Sequence, residues 1–230
     1  MQQDGAMEAR LAGPTDLAGF RSEARQLLAQ QVPPEDVQWL AAPAAADYCD
    51  PESPLASRPK NVARAATAIV PASFTRLCEF VVLHRDPGRF ALLYRLLWRL
   101  VHEPGLRADP FDADMLQAQH MAHAVRRDVH KMKANLRFKP LRDAQGRALH
   151  VACHAPAHHI LEAVAPWLAK RVPAEHWAVL TPERSVRWED GRLLFGPGLP
   201  AAQLPAHEDP EADWLAAYGQ VFAPYDAAHA

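Results

Sequence analysis

The chain has 230 residues, 49% of them hydrophobic and 23% charged, with a formal net charge of -2. That balance supplies enough apolar surface for a real core, and it excludes both wholesale disorder and a polybasic chain that wraps nucleic acid along its whole length. Three cysteines (Cys49, Cys78, Cys153) are too few and too scattered for a disulfide framework or a paired zinc ribbon, so the chain reads as reduced, intracellular and cytoplasmic.

No apolar run reaches the length of a membrane span; the richest, Phe90 to Val101, is cut by Arg95 and Arg99. The first residues lack the basic and apolar regions of a signal peptide. Neither a GxGxxG nor a P-loop pattern occurs, which removes the usual dinucleotide and P-loop chemistry. No cofactor is expected.

Residues 1–13 read as a frayed, disordered tail. Asp16 then offers an N-cap, and Leu17, Phe20, Ala24, Leu27 and Leu28 recur at helical spacing up to about Gln31, ahead of Pro33-Pro34. Glu35 to Leu40 suits a short strand or turn. Residues 41–61, rich in Ala, Pro, Ser and Asp, read as a linker. Val62 to Val70 fits either a strand or a helix.

A helix carrying Phe74, Leu77, Cys78, Val81 and Val82 follows Pro71. Another, introduced by Asp86-Pro87, buries Phe90, Leu93, Tyr94, Leu97 and Leu100. A long helix capped by Asp112 or Asp114 runs from Met115 to about Ala134. Strands are expected at Leu136–Phe138, Leu149–Cys153, Trp177–Leu180, Val186–Trp188 and Leu193–Phe195. Glu189-Asp190-Gly191 forms the last hairpin turn. Helices are expected from Pro156 to Lys170 and from Glu211 to Phe222, with a tail over 223–230. The prediction is a single α+β domain over 14–222. Its part 14–134 is helical, and its part 135–198 holds a small, mostly antiparallel sheet.

Charge is unevenly spread. Arg126 to Arg147 holds eight Arg or Lys and two acids, +6 in 22 residues, which leaves -8 for the rest of a chain whose total is -2. On the long helix Arg126 and His130, and Arg127 and Lys131, are i,i+4 neighbours and form a stripe with Lys133. Arg137 and Lys139 alternate along the expected next strand. Such a stripe reads either as a solvated face or as a surface for phosphate.

Residues 150–159 hold His150, Cys153, His154, His158 and His159. The change from strand to helix at Pro156 splits their directions, so no metal site is expected. His130, His158 and Glu183 are the acid/base candidates, at ordinary His and Glu chemistry. No GxSxG elbow surrounds Ser185. Thr181-Pro182-Glu183-Arg184-Ser185 is expected as a turn between two strands, with Glu183 and Arg184 at an exposed tip where Arg184 can meet a nucleic-acid backbone.

Several blocks together carry a resemblance. Arg126-Arg127-Asp128-Val129-His130-Lys131-Met132-Lys133-Ala134, Pro156-Ala157-His158-His159-Ile160, Trp177 through Ser185, and Phe195-Gly196-Pro197-Gly198 are among them. So are Phe20-Arg21, Pro33-Pro34-Glu35-Asp36-Val37 with Trp39, and His84 through Phe90. Over roughly residues 15–222 they resemble a bacterial domain of unknown function from DNA metabolism or repair proteins. That domain stands N-terminal to the glycosylase in UdgX-type uracil-DNA glycosylase superfamily fusions. Departures include Asn135-Leu136 for Phe-Val and Cys153-His154-Ala155 for an aromatic, acidic W-F-E. The iron–sulfur cysteines and catalytic motifs of the glycosylase part are not among these residues, so neither carries over.

The resemblance implies a DNA-repair setting, with a glycosylase-superfamily or radical-SAM protein as partner. With the charge pattern it gives the expectation of an accessory domain that binds nucleic acid, DNA in preference to RNA, through Arg126, Arg127, His130, Lys131, Lys133, Arg137 and Arg184. An enzyme acting on DNA ends or modified bases, and a protein-docking module, are the alternatives.

Overall fold

A computed structural model describes residues 6–44, 48–49, 71–103, 105–106, 109–143 and 145–229. The element expected at 62–70, and most of the 41–61 linker, lie outside the described residues. The chain clusters into two compact units: Met1–Pro43 with Asn61–Arg127, and Ala44–Lys60 with Asp128–Ala230. The described residues form six helices and two sheets, an α+β protein in which the larger sheet follows most of the helices.

In the first unit, strand β1 (Met7–Leu11) pairs in parallel with β2 (Val37–Ala41), Met7 opposite Val37 and Leu11 opposite Ala41. Within the tail expected over 1–13, Met7–Leu11 is therefore a strand. Ala9 and Leu11 are buried while their neighbours are exposed, so the alternation of a half-buried strand is present but only five residues long. Helix α1 (Leu17–Ala29) connects the two strands. Asp16 Oδ1 accepts the Gly19 N–H at 2.8 Å and caps it.

The core gathers Phe20 of α1, Trp39 of β2, and Phe90 and Tyr94 of α3 (Arg89–His102), with ring centroids 5.1–6.2 Å apart. Helix α2 (Ala72–Val81) adds Phe74, Leu77, Cys78 and Val81. Buried Arg89 donates to the carbonyls of Val82, Asp86 and Pro14 and satisfies loop ends. Helix α4 (Ala113–Asn135) starts where Asp112 Oδ1 accepts the Met115 N–H at 2.9 Å, so Asp112 is the cap.

The second unit is built on a five-stranded sheet, β3 (Lys139–Arg142), β4 (Ala148–Cys153), β5 (Trp177–Leu180), β6 (Arg184–Glu189) and β7 (Arg192–Pro197), in that spatial order. All neighbours are antiparallel except β4 and β5, which run parallel with helix α5 (Leu161–Arg171) between them. Parallel neighbours require such a crossover.

The strand expected at Leu136–Phe138 starts instead at Lys139. It carries Pro140, which an edge strand tolerates because one row of its N–H groups needs no partner. The hairpin is as expected: Asp190 and Gly191 have φ of 51° and 78°, the two positive values of a type I′ turn. Helix α5 starts later than expected, at Leu161, since 157–159 are bends.

Helix α6 (Glu211–His229) runs through Pro224, so 223–229 of the tail expected at 223–230 are helical. The lost backbone bond is offset by side chains: Asp226 pairs with Arg187, and Tyr225 packs on Tyr48 at 5.0 Å. Trp177, fully buried, stacks on Trp188 at 6.4 Å and is a core residue.

Candidate functional site

Two groups of polar side chains stand out, and the first is the cationic face of α4 and the segment after it. Arg126, Arg127, His130, Lys131 and Arg137 are exposed and Lys133 is half-buried. Within the first unit, Arg126 lies over the Phe80 ring at 4.3 Å. Within the second, Lys133 lies over Trp167 at 4.8 Å. Arg127, His130, Lys131 and Arg137 make no ion pair with a described residue.

Other arginines behave differently. Arg99 reaches Asp112 at 2.7 Å, Asp114 at 3.0 Å and Glu103 at 3.0 Å. Arg147 reaches Asp143 at 2.7 Å and Glu189 at 2.9 Å. Arg187, only 7% exposed, reaches Asp226 at 2.8 Å and Glu189 at 3.3 Å. Cations near a helix C-terminus suit the backbone dipole, which accounts for Lys133 in the last turn. It accounts for no more than the last turn.

The second group collects at the carboxyl ends of the parallel strands β4 and β5, the position where ligands enter open α/β sheets. Chain leaving β4 carries His154, His158 and His159; chain leaving β5 carries Thr181, Pro182 and Glu183. Buried Asp128, on α4, accepts the His158 backbone N–H at 2.9 Å and ties this loop to the helix. His159 Nδ1 lies 2.5 Å from Glu183 Oε2. A carboxylate only accepts, so Nδ1 carries the proton between them and Nε2 is the ring nitrogen turned to other partners.

Thr181 Oγ1 donates to the Arg184 carbonyl at 2.5 Å and fixes the turn. Gly198 packs so closely on that turn that a Cβ would overlap the Pro182 carbonyl. Burial pushes the His154 imidazole below its ordinary value; Asp128 opposes the shift and Lys131 adds to it. Burial pushes the Cys153 thiol up to about 12, which removes it as a nucleophile.

Arg184 does not stand at an exposed tip. It begins β6, with its side chain 12% exposed, its Nε 3.0 Å from Glu162 Oε1 and its guanidinium over Phe195. Glu183 is exposed, as expected. Of the acid/base candidates, His130 lies exposed on α4, His158 is held through its backbone, and Glu183 has His159 as a partner. Among the described residues no three His, Cys, Asp or Glu side chains converge as metal ligands.

The family model of a domain of unknown function, DUF4130, matches residues 87–220, more than half of the chain. The chain belongs to the DUF4130 family. The DUF4130 segment takes in α3 to α5, the whole five-stranded sheet and most of α6, so both polar groups lie inside it. No curated protein and no solved structure matches the chain. Among the described residues no helix is long and apolar enough to cross a membrane.

Sequence reasoning missed His159 as the partner of Glu183 and Asp128 as the anchor of the histidine loop. Residues 159 and 183 meet only because β4 and β5 pair in parallel, Cys153 opposite Leu180. It also missed the network of Arg187 with Asp226, Tyr218, Glu189 and His176. There Arg187 Nη1 donates to Tyr218 Oη at 3.3 Å, and His176 Nε2 lies 3.1 Å from the same oxygen. Nothing in local spacing signals that cluster.

Proposed function

We propose that the chain is a DNA-repair-associated accessory domain that binds nucleic acid through the exposed cations of α4 and the segment that follows. The observation that carries this reading is the run of Arg127, His130, Lys131 and Arg137 with no carboxylate partner among the described residues, where Arg99, Arg147 and Arg187 are each paired. Like charges one turn apart repel by a few tenths of a kcal/mol, and a phosphate backbone relieves that repulsion while releasing its own counterions.

The resemblance to the N-terminal part of UdgX-type fusions supplies the setting, and a glycosylase-superfamily or radical-SAM protein is the partner it implies. Arg184 is a weaker contact in this reading, because Glu162 already faces it.

Fluorescence-anisotropy titration of single-stranded, duplex and uracil-containing DNA at two salt concentrations tests it. Binding is expected to fall steeply with salt, and to fall roughly tenfold or more in the Lys131→Glu/Arg137→Glu variant. Equal binding by that variant, or no binding at low salt, contradicts the reading and favours the docking module.

A further inference from the structure

We propose that the His159–Glu183 pair is a general-base site that hydrolyses phosphodiesters delivered by the cations of α4. The inference rests on the nucleic-acid reading for its substrate class and on separate geometry for its chemistry.

Three observations carry it. Glu183 Oε2 holds His159 Nδ1 at 2.5 Å, the arrangement in which a carboxylate fixes the tautomer and orientation of a histidine whose other nitrogen does the work. The pair sits at the carboxyl ends of the parallel strands, and the His159 side chain is 16% exposed, so it is anchored and still reachable. Asp128 accepts the backbone N–H of His158, the neighbour of His159, and so ties the same loop to α4 one turn before Lys131. In this proposal Lys131, on the same helix as that anchor, is the cation that holds the phosphate. Asp128 is a positioning residue, as is Glu183.

The step balances without a further reactant. His159 Nε2 takes a proton from water, and the water oxygen bonds to phosphorus. The P–O bond to the departing group breaks and its electron pair stays on that oxygen; the proton on His159 passes to solvent or to the departing oxygen. With bis(4-nitrophenyl) phosphate the departing group is 4-nitrophenolate, which leaves without a proton and reports the rate by its colour.

The full chain is assayed with that probe and with a single-stranded DNA oligomer. Turnover above buffer is expected. His159→Ala should lower kcat by about a hundredfold or more, with part of the rate restored by added imidazole. Glu183→Gln should lower kcat at least about tenfold with KM unchanged, and Lys131→Glu should raise KM for the oligomer. His159→Gln, of similar polarity, guards against misfolding of the alanine variant.

No turnover by the wild-type chain, or turnover that survives His159→Ala, overturns the proposal. Salt-sensitive DNA binding without turnover sinks this inference and leaves the nucleic-acid reading standing. Turnover that depends on His159 without salt-sensitive binding does the reverse.

Discussion

Arg99 and Arg127 lie on successive helices of one compact unit and have opposite surroundings. Arg99 is enclosed by Asp112, Asp114 and Glu103, and the same Asp112 caps α4. Arg127 is exposed and meets no carboxylate among the described residues. Net charge treats them alike. Pairing separates a cation held inside the fold from one that meets no carboxylate of it. The same contrast recurs in the second unit, between Arg187 over the Phe222 ring and Arg137 in solvent.

The comparison breaks most visibly by removing a paired arginine. Arg187→Ala leaves Asp226, Glu189 and the Tyr218 hydroxyl without their cation and should cost about 3–4 kcal/mol in a urea unfolding titration. Arg99→Ala should cost less, about 2–3 kcal/mol, because Glu103 and Asp114 are partly solvated. Arg127→Ala and Lys131→Ala should stay within about 0.5 kcal/mol of the parent. A loss at Arg127 as large as that at Arg99 would erase the distinction.

Acid sharpens it. Burial pushes the Asp112 carboxyl up, but the Arg99 guanidinium and the Met115 N–H outweigh burial and hold it below its ordinary value. Arg95 does the same for Asp114. Carboxyls held down in the folded state contribute stability above their unfolded value of about 3.9, and that stability is lost as pH falls through the lower folded values. The Tm should therefore drop below about pH 4, and Arg99→Ala should flatten the drop where Arg127→Ala does not.

A smaller effect belongs to His176 and His154. Burial depresses both imidazoles, against the pull of Glu189 at His176 and of Asp128 at His154. The unfolded chain takes up these protons first, near about pH 6.5, so stability falls as pH drops below that value. His176→Gln should reduce the difference in Tm between pH 7.5 and 5.5.

Much of the fold was legible because its signals are local. Leu17, Phe20, Ala24 and Leu27 mark α1 by spacing alone, and Asp190-Gly191 marks the hairpin by its need for positive φ. What was illegible depends on distant partners. Strand β1 has five residues and is stabilised by β2, some 30 positions away; α6 continues past Pro224 because Arg187 waits for Asp226.

The site divides in the same way. The cations of α4 are a sequence run and can be read directly. The meeting of His159 with Glu183 needs the parallel pairing of β4 and β5, which no composition or periodicity announces.

The most direct measurement is the slope of log binding constant against log salt for duplex DNA, for the parent and for Lys131→Ala/Arg137→Ala. If the unpaired cations face phosphate, the parent slope is steep and negative, and the variant slope is shallower by about 0.9 per cation removed. Identical slopes, or a flat parent, would show that these side chains face only water and would contradict the account.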